Sequence, residues 1–164
     1  MIDADWSVEL GGGAPVIDAL WSGFVDLRSE PQRITELAET AGFAPLSELL
    51  LALNAPTSAW WTSKCDLWQE ESLRAAWVDL LPRHGLVFTE FSDAENAARR
   101  LSAALDGLTD ADGSIEIVVR QAVAGEAEGY AITLYLSAEA EALSALMQQL
   151  SLAVARTAPS APAE

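Results

Sequence analysis

Ile115-Glu116-Ile117-Val118-Val119-Arg120 and Ala131-Ile132-Thr133-Leu134-Tyr135-Leu136 place a large aliphatic on every second residue, with Gly125 to Gly129 between the two runs. Successive strand side chains point to opposite faces. One face of this pair therefore carries Ile115, Ile117, Val119, Ile132, Leu134 and Leu136, and the other carries Glu116, Val118, Arg120, Thr133 and Tyr135. A second pair precedes it. Ser58 to Gln69 reads as a long strand, Glu70-Glu71-Ser72 as a polar turn, and Ala75 to Leu81 as its return, stopped by Pro82, which has no N–H for a ladder.

Helical periodicity fills the spaces between these hairpins. Ser29-Glu30-Pro31-Gln32 has the form of a capped helix start, followed by Ile34, Leu37, Ala38 and Ala41 and closed by Gly42. Pro45 opens a second helix with Leu46, Leu49, Leu50 and Leu53, broken at Asn54-Ala55-Pro56. Ser92-Asp93-Ala94-Glu95 reads as another capping box ahead of Ala97, Ala98, Leu101, Ala104 and Leu105, with Gly107 as the stop. Ser137 is the expected cap of a last helix with Leu143, Leu146, Met147, Leu150 and Val154 inward. With an alternating stretch at Gly23–Arg28, the order becomes β-α-α-β-β-α-β-β-α. That pattern predicts an α+β two-layer sandwich: a mainly antiparallel sheet of about five strands with helices on one face.

The boundaries expected are an arm over 1–20 hinged at Gly11-Gly12-Gly13, one domain over 21–156, and a disordered Pro/Ala/Ser tail over 157–164. Val16-Ile17 and Leu20-Trp21 offer a short edge strand, and Leu86-Val87-Phe88 a short extension. The 164 residues are 51% hydrophobic, enough for a real core, and contain no apolar run of membrane-spanning length. The formal charge of −16 opposes nucleic acid and anionic membranes. A single cysteine and an acidic rather than basic N-terminus point to the cytoplasm. One lysine among nine bases, with abundant alanine and leucine, suggests a GC-rich bacterial source.

A two-layer fold leaves one sheet face to water or a partner. In the first hairpin the more polar parity is Trp60, Thr62, Lys64, Asp66 and Trp68; on the return strand it is Trp77, Asp79 and Arg83. The open face is thus expected to carry Trp60, Trp68, Trp77 and Tyr135 among Lys64, Asp66, Arg83 and Arg120, a composition typical of interface hot spots. Three fates follow for such a patch. It is covered by the chain itself or buried through an inverted register, it is an interface with a partner or second copy, or it holds a ligand.

Catalytic signatures are absent from the sequence. Cys65 and His84, with Asp66 or Asp79 to orient the imidazole, are the only nucleophile–base pair to consider. Cys65 falls on the apolar parity with Trp61 and Leu67, and His84 sits in a turn beside Gly85, so an inert thiol is expected. Trp61 stands where a Ser-x-x-Lys motif needs its serine, and Gly11-Gly12-Gly13 lacks the frame of a phosphate loop. Asp110-Ala111-Asp112-Gly113-Ser114 starts like a calcium loop, but Gln121 occupies the bidentate position, so a turn is expected. No metal or cofactor is expected. The reading that remains is a non-enzymatic protein-binding module for a basic partner or for a second copy in a homodimer. In size, charge and element order it is similar to bacterial secretion chaperones, and in charge to immunity proteins that neutralise basic toxins. The alternative is a small-molecule-binding domain or enzyme with a pocket near Trp60, Lys64, Trp68 and Trp77.

Overall fold

The computed structural model describes residues 3–9, 15–106 and 113–156. Strands β1 (Asp3–Glu9) and β2 (Ile17–Asp18) come first, followed by two 3-10 helices, Pro31–Glu36 and Ala38–Thr40. Helix α1 (Ala44–Asn54), the hairpin β3 (Trp60–Glu70) and β4 (Leu73–Pro82), helix α2 (Phe91–Asp106), the hairpin β5 (Ser114–Ala124) and β6 (Ala127–Glu139), and helix α3 (Ala140–Arg156) complete the chain. The fold is α+β with a six-stranded, mostly antiparallel open sheet in the order β1-β5-β6-β4-β3. β1 and β2 are both parallel to β5 and lie along the same edge, because β6 occupies the other side of β5. No helix among the described residues is long and apolar enough to cross a membrane.

Register confirms the alternation in the last hairpin. Ile115, Ile117 and Val119 stand opposite Leu136, Leu134 and Ile132, and β4 adds Ala76, Val78 and Leu80 to the same rows. Side chains of α1, α2 and α3 meet these residues in one continuous apolar cluster, which defines the inner face. The stripe of Leu143, Leu146, Met147, Leu150 and Val154 is buried as its spacing predicts. Ala94, Ala97 and Ala98 are small enough for α2 to approach the sheet closely. A buried polar contact joins the two layers: Asn54 Nδ2 donates to Leu50 O and to Thr62 Oγ1, both at 2.8 Å, and Asn54 Oδ1 accepts the Thr62 N–H at 3.1 Å. One side chain thus ends α1 and ties it to β3.

Several local expectations are corrected. Gly23–Arg28 is not a strand; Asp26 holds both the backbone N–H and the guanidinium of Arg28, which closes a turn. The helix expected from Ser29 is two 3-10 turns, because the Leu37 backbone is extended between them and Thr40 Oγ1 donates to the carbonyls of Ile34 and Leu37. α2 begins at Phe91, ahead of its expected cap, and Ser137 lies within β6, opposite Ser114, instead of capping α3. The residues expected as an arm include β1 and β2, which are hydrogen-bonded into the sheet. The hinge at Gly11-Gly12-Gly13, the stop at Gly107, most of the 110–114 turn and the tail over 157–164 lie outside the described residues.

The most consequential correction concerns parity in β3. Trp60 and Thr62 face the inner layer opposite Pro82 and Leu80, but the pairing then slips so that Cys65 faces Val78. Ser63 and Lys64 together oppose Asp79 alone, a β-bulge. Because one extra residue inverts side-chain direction, Trp60 belongs to the inner core, whereas Lys64 in the bulge and Asp66 and Trp68 beyond it do lie on the outer face. Trp60 is only 5% exposed and makes an edge-on contact with Phe88, ring centroids 6.1 Å apart.

Candidate functional site

The outer face can be followed row by row across the strands. At one end, Trp61 opposes Leu81, and with Ala122, Ala124, Ala131 and Val87 they form a second apolar cluster under Ile17, Ala19 and Phe24. The Phe24 ring meets Trp61 edge-on at 5.5 Å, and the Arg28 guanidinium lies 4.4 Å over the same indole. The carboxyl of Asp26, which holds Arg28, is kept below its ordinary range by that side-chain hydrogen bond. Ser63 Oγ donates to Ala19 O at 2.6 Å, and Trp61 Nε1 to Gly85 O at 3.2 Å. This end is covered by the protein's own chain. The approach of residues 87–88 to β6 depends on Gly129, where any Cβ would overlap the carbonyl oxygen of Phe88.

The other end lies beyond this cluster. Asp66, Trp77, Tyr135 and Glu116 form one row, and Trp68, Ala75, Ser137 and Ser114 the next. Trp68 is 40% exposed, Asp66 and Glu116 are exposed, and Trp77 and Tyr135 are half-buried. Arg120 donates through Nη2 to Glu9 at 2.8 Å and to Tyr135 Oη at 2.6 Å. Tyr135 lies two rows from Arg120, so the arginine spans the intervening Val118 and Thr133, which are 1% and 0% exposed. Burial raises the Tyr135 hydroxyl above its ordinary range, partly offset by Arg120.

Asp79 sits at the junction of the covered and open halves. It is 3% exposed, and its Oδ1 accepts the Thr133 hydroxyl at 2.7 Å. Among the described residues it has no ion pair, although Lys64 and Arg120 act on it from either side. Desolvation pushes its carboxyl up to about 6, with Thr133, Arg120 and Lys64 opposing the rise. Lys64 Nζ lies 5.5 Å over the Trp21 ring. Trp21 Nε1 and Arg120 Nε are buried without hydrogen-bond partners.

The structure therefore brings together Lys64, Asp66, Trp68, Trp77, Arg120 and Tyr135 on one face. It removes two others. Trp60 is inner core, and Arg83 is occupied at the end of α1, where Nη1 donates to Asn54 O and Ala55 O, both at 3.0 Å. Cys65 and His84 are not a pair: Cys65 faces the helical layer opposite Val78, four residues or about 13 Å along β4 from Pro82, and His84 is exposed beyond it. Burial pushes the Cys65 thiol up to about 12, helped by Glu39, Asp66 and Asp79, so it stays protonated and unreactive at neutral pH. Asp79, read from the sequence as an open-face residue or an orienter of His84, and Thr133, read as an open-face residue, instead form a buried pair at the site, and Trp21 and Glu9 join it without having been singled out. For Asp79 the signal is present in Val78-Asp79-Leu80-Leu81, an acid inside an aliphatic run. Among the described residues no cluster of three or more His, Cys, Asp or Glu side chains is arranged to hold a metal. Neither a protein-family profile, a curated protein nor a solved structure matches this chain.

Proposed function

We propose that this chain is a cytoplasmic, non-enzymatic protein-binding module, and that it receives a basic partner on the open half of its outer sheet face. The observation that carries this reading is the row Asp66–Trp77–Tyr135–Glu116, with Trp68 exposed beside it, on a sheet whose other half is already covered by residues 17–28. Aromatic rings edged by carboxylates suit arginine and lysine side chains, which stack on the rings and pair with the acids. A net charge of −16 steers a basic partner toward the face and opposes the approach of a second copy.

The test is a titration of the full chain with a short synthetic peptide of alternating arginine and leucine, followed by tryptophan fluorescence and calorimetry. Binding should weaken with salt, and Trp77→Ala, which leaves the net charge unchanged, should weaken it by about tenfold or more. Equal binding by Trp77→Ala, in a variant that remains folded, means that only bulk charge is sensed and refutes the reading. A concentration-dependent dimer in sedimentation, abolished by Trp68→Glu, would replace the basic partner with a second copy.

A further inference from the structure

We propose that Asp79 makes occupancy of this face proton-dependent: when ionised its carboxylate offsets Lys64 and adds to the hold of Glu9 on Arg120, and its protonation leaves Lys64 without that offset to repel a basic partner. The inference rests on the reading above and adds its regulation. Geometry supplies the reason. Asp79 is buried at the centre of the sheet, directly between the bulge that carries Lys64 and the strand residue Thr133 that donates to it. Arg120 crosses the same region to reach Tyr135. A low-dielectric carboxylate with a single hydrogen bond in such a place is costly to keep charged, and burial raises it to about 6.

The surrounding groups do not supply the same response. From β3 the face receives Lys64 and Asp66, from β6 Tyr135, from β5 Arg120 and Glu116, and from β1 Glu9. Glu9 is paired with Arg120, and Asp66 and Glu116 are exposed acids. The covering segment adds Arg28, which is already held by Asp26. Loss of the Asp79 charge therefore changes the centre of the face by one unit, without a second buried acid among the described residues to buffer it.

The experiment is the same peptide titration at pH 5.0 and 7.5 (constant ionic strength), on the full chain and on Asp79→Asn. The original chain should bind about five- to tenfold more tightly at the higher pH, as a single charge acting through a partly screened medium implies. Asp79→Asn should bind weakly at both. Thr133→Val, which removes the hydroxyl that favours the ionised form, should move the midpoint to higher pH. If Asp79→Asn keeps the pH step, or if the original chain lacks one while still binding, the proton link is refuted and the docking reading stands. If no form binds at any pH, the docking reading fails first and takes this inference with it.

Discussion

Replacing Asp79 with asparagine should stabilise the fold at neutral pH, a gain that is lost in acid. The native carboxyl is raised from 3.8 to about 6 by burial, so the folded chain takes up a proton more readily than the unfolded chain. The stabilisation from that proton is complete below about pH 4 and is lost as pH rises through 6. At about 1.36 kcal/mol for each unit, keeping Asp79 charged costs about 3 kcal/mol by pH 7.5. Asparagine keeps an oxygen to accept from Thr133 Oγ1 and carries no charge, but its amide must also be accommodated. The expected gain is therefore about 1–3 kcal/mol at pH 7.5 and about 2 kcal/mol less at pH 4.5, where the charge costs about 1 kcal/mol. Urea denaturation at several pH values measures it, as a rise of the midpoint by about 0.5–2 M at pH 7.5 with an unchanged slope. Carboxylates such as Asp26, whose Arg28 hydrogen bond lowers its pKa, give the opposite trend, but they are common to both proteins and cancel in the difference. A gain that is equal at pH 4.5 and 7.5, or a loss at pH 7.5, would refute the argument that desolvation of this carboxylate dominates.

The bulge in β3 separates two tryptophans that its sequence presents alike. Trp60→Ala should cost about 3–5 kcal/mol in urea denaturation and Trp68→Ala less than about 1 kcal/mol; similar costs would contradict the inner placement of Trp60. Asn54→Ala strands the Thr62 N–H and hydroxyl in the core and should cost about 2–3 kcal/mol by the same measurement. The half-buried Cys65 thiol, pushed up to about 12, should react with a disulfide reagent at pH 8 much more slowly in the folded chain than in denaturant; equal rates would contradict that upward shift. Gly129→Ala should lower the melting temperature by several degrees (calorimetry), because its methyl group meets the backbone of Phe88.

Short-range patterns in this chain carry most of the fold. Alternation in Ile115–Val119 and Ile132–Leu136 gives the last hairpin and its inner face correctly, and the spacing of Leu143, Leu146, Met147 and Leu150 gives α3. Two of the features missed are long-range or cancel locally. Ala4, Trp6 and Val8 alternate with Asp3, Asp5, Ser7 and Glu9, but nothing local in that short run names its partner, a strand far along the chain. A bulge at Ser63–Lys64 leaves both halves of β3 looking like one unbroken strand, so Trp60 and Trp68 seem to share a face. The site is legible to the same degree. Lys64, Asp66, Trp68, Trp77, Arg120 and Tyr135 follow from alternation, whereas Trp60 is lost to the bulge and Arg83 to the carbonyls of α1. The role of Asp79 depends on how deeply Thr133 and its neighbours bury it, which only the assembled sheet determines.

The pairing of Asp3 with Ser114 bears on how the chain leaves the ribosome. Asp3–Glu9 emerges roughly a hundred residues before the strand that will hold it, so it must wait until Ser114–Arg120 is made, while the nearer hairpin β3–β4 can form. The acids spaced along Asp3-Ala4-Asp5-Trp6-Ser7-Val8-Glu9 suit that wait, since charges within a strand discourage pairing with other nascent chains. This edge cannot close before Ser114–Arg120 is made, and a synthesis arrested before Ser114 leaves a strand with no mate.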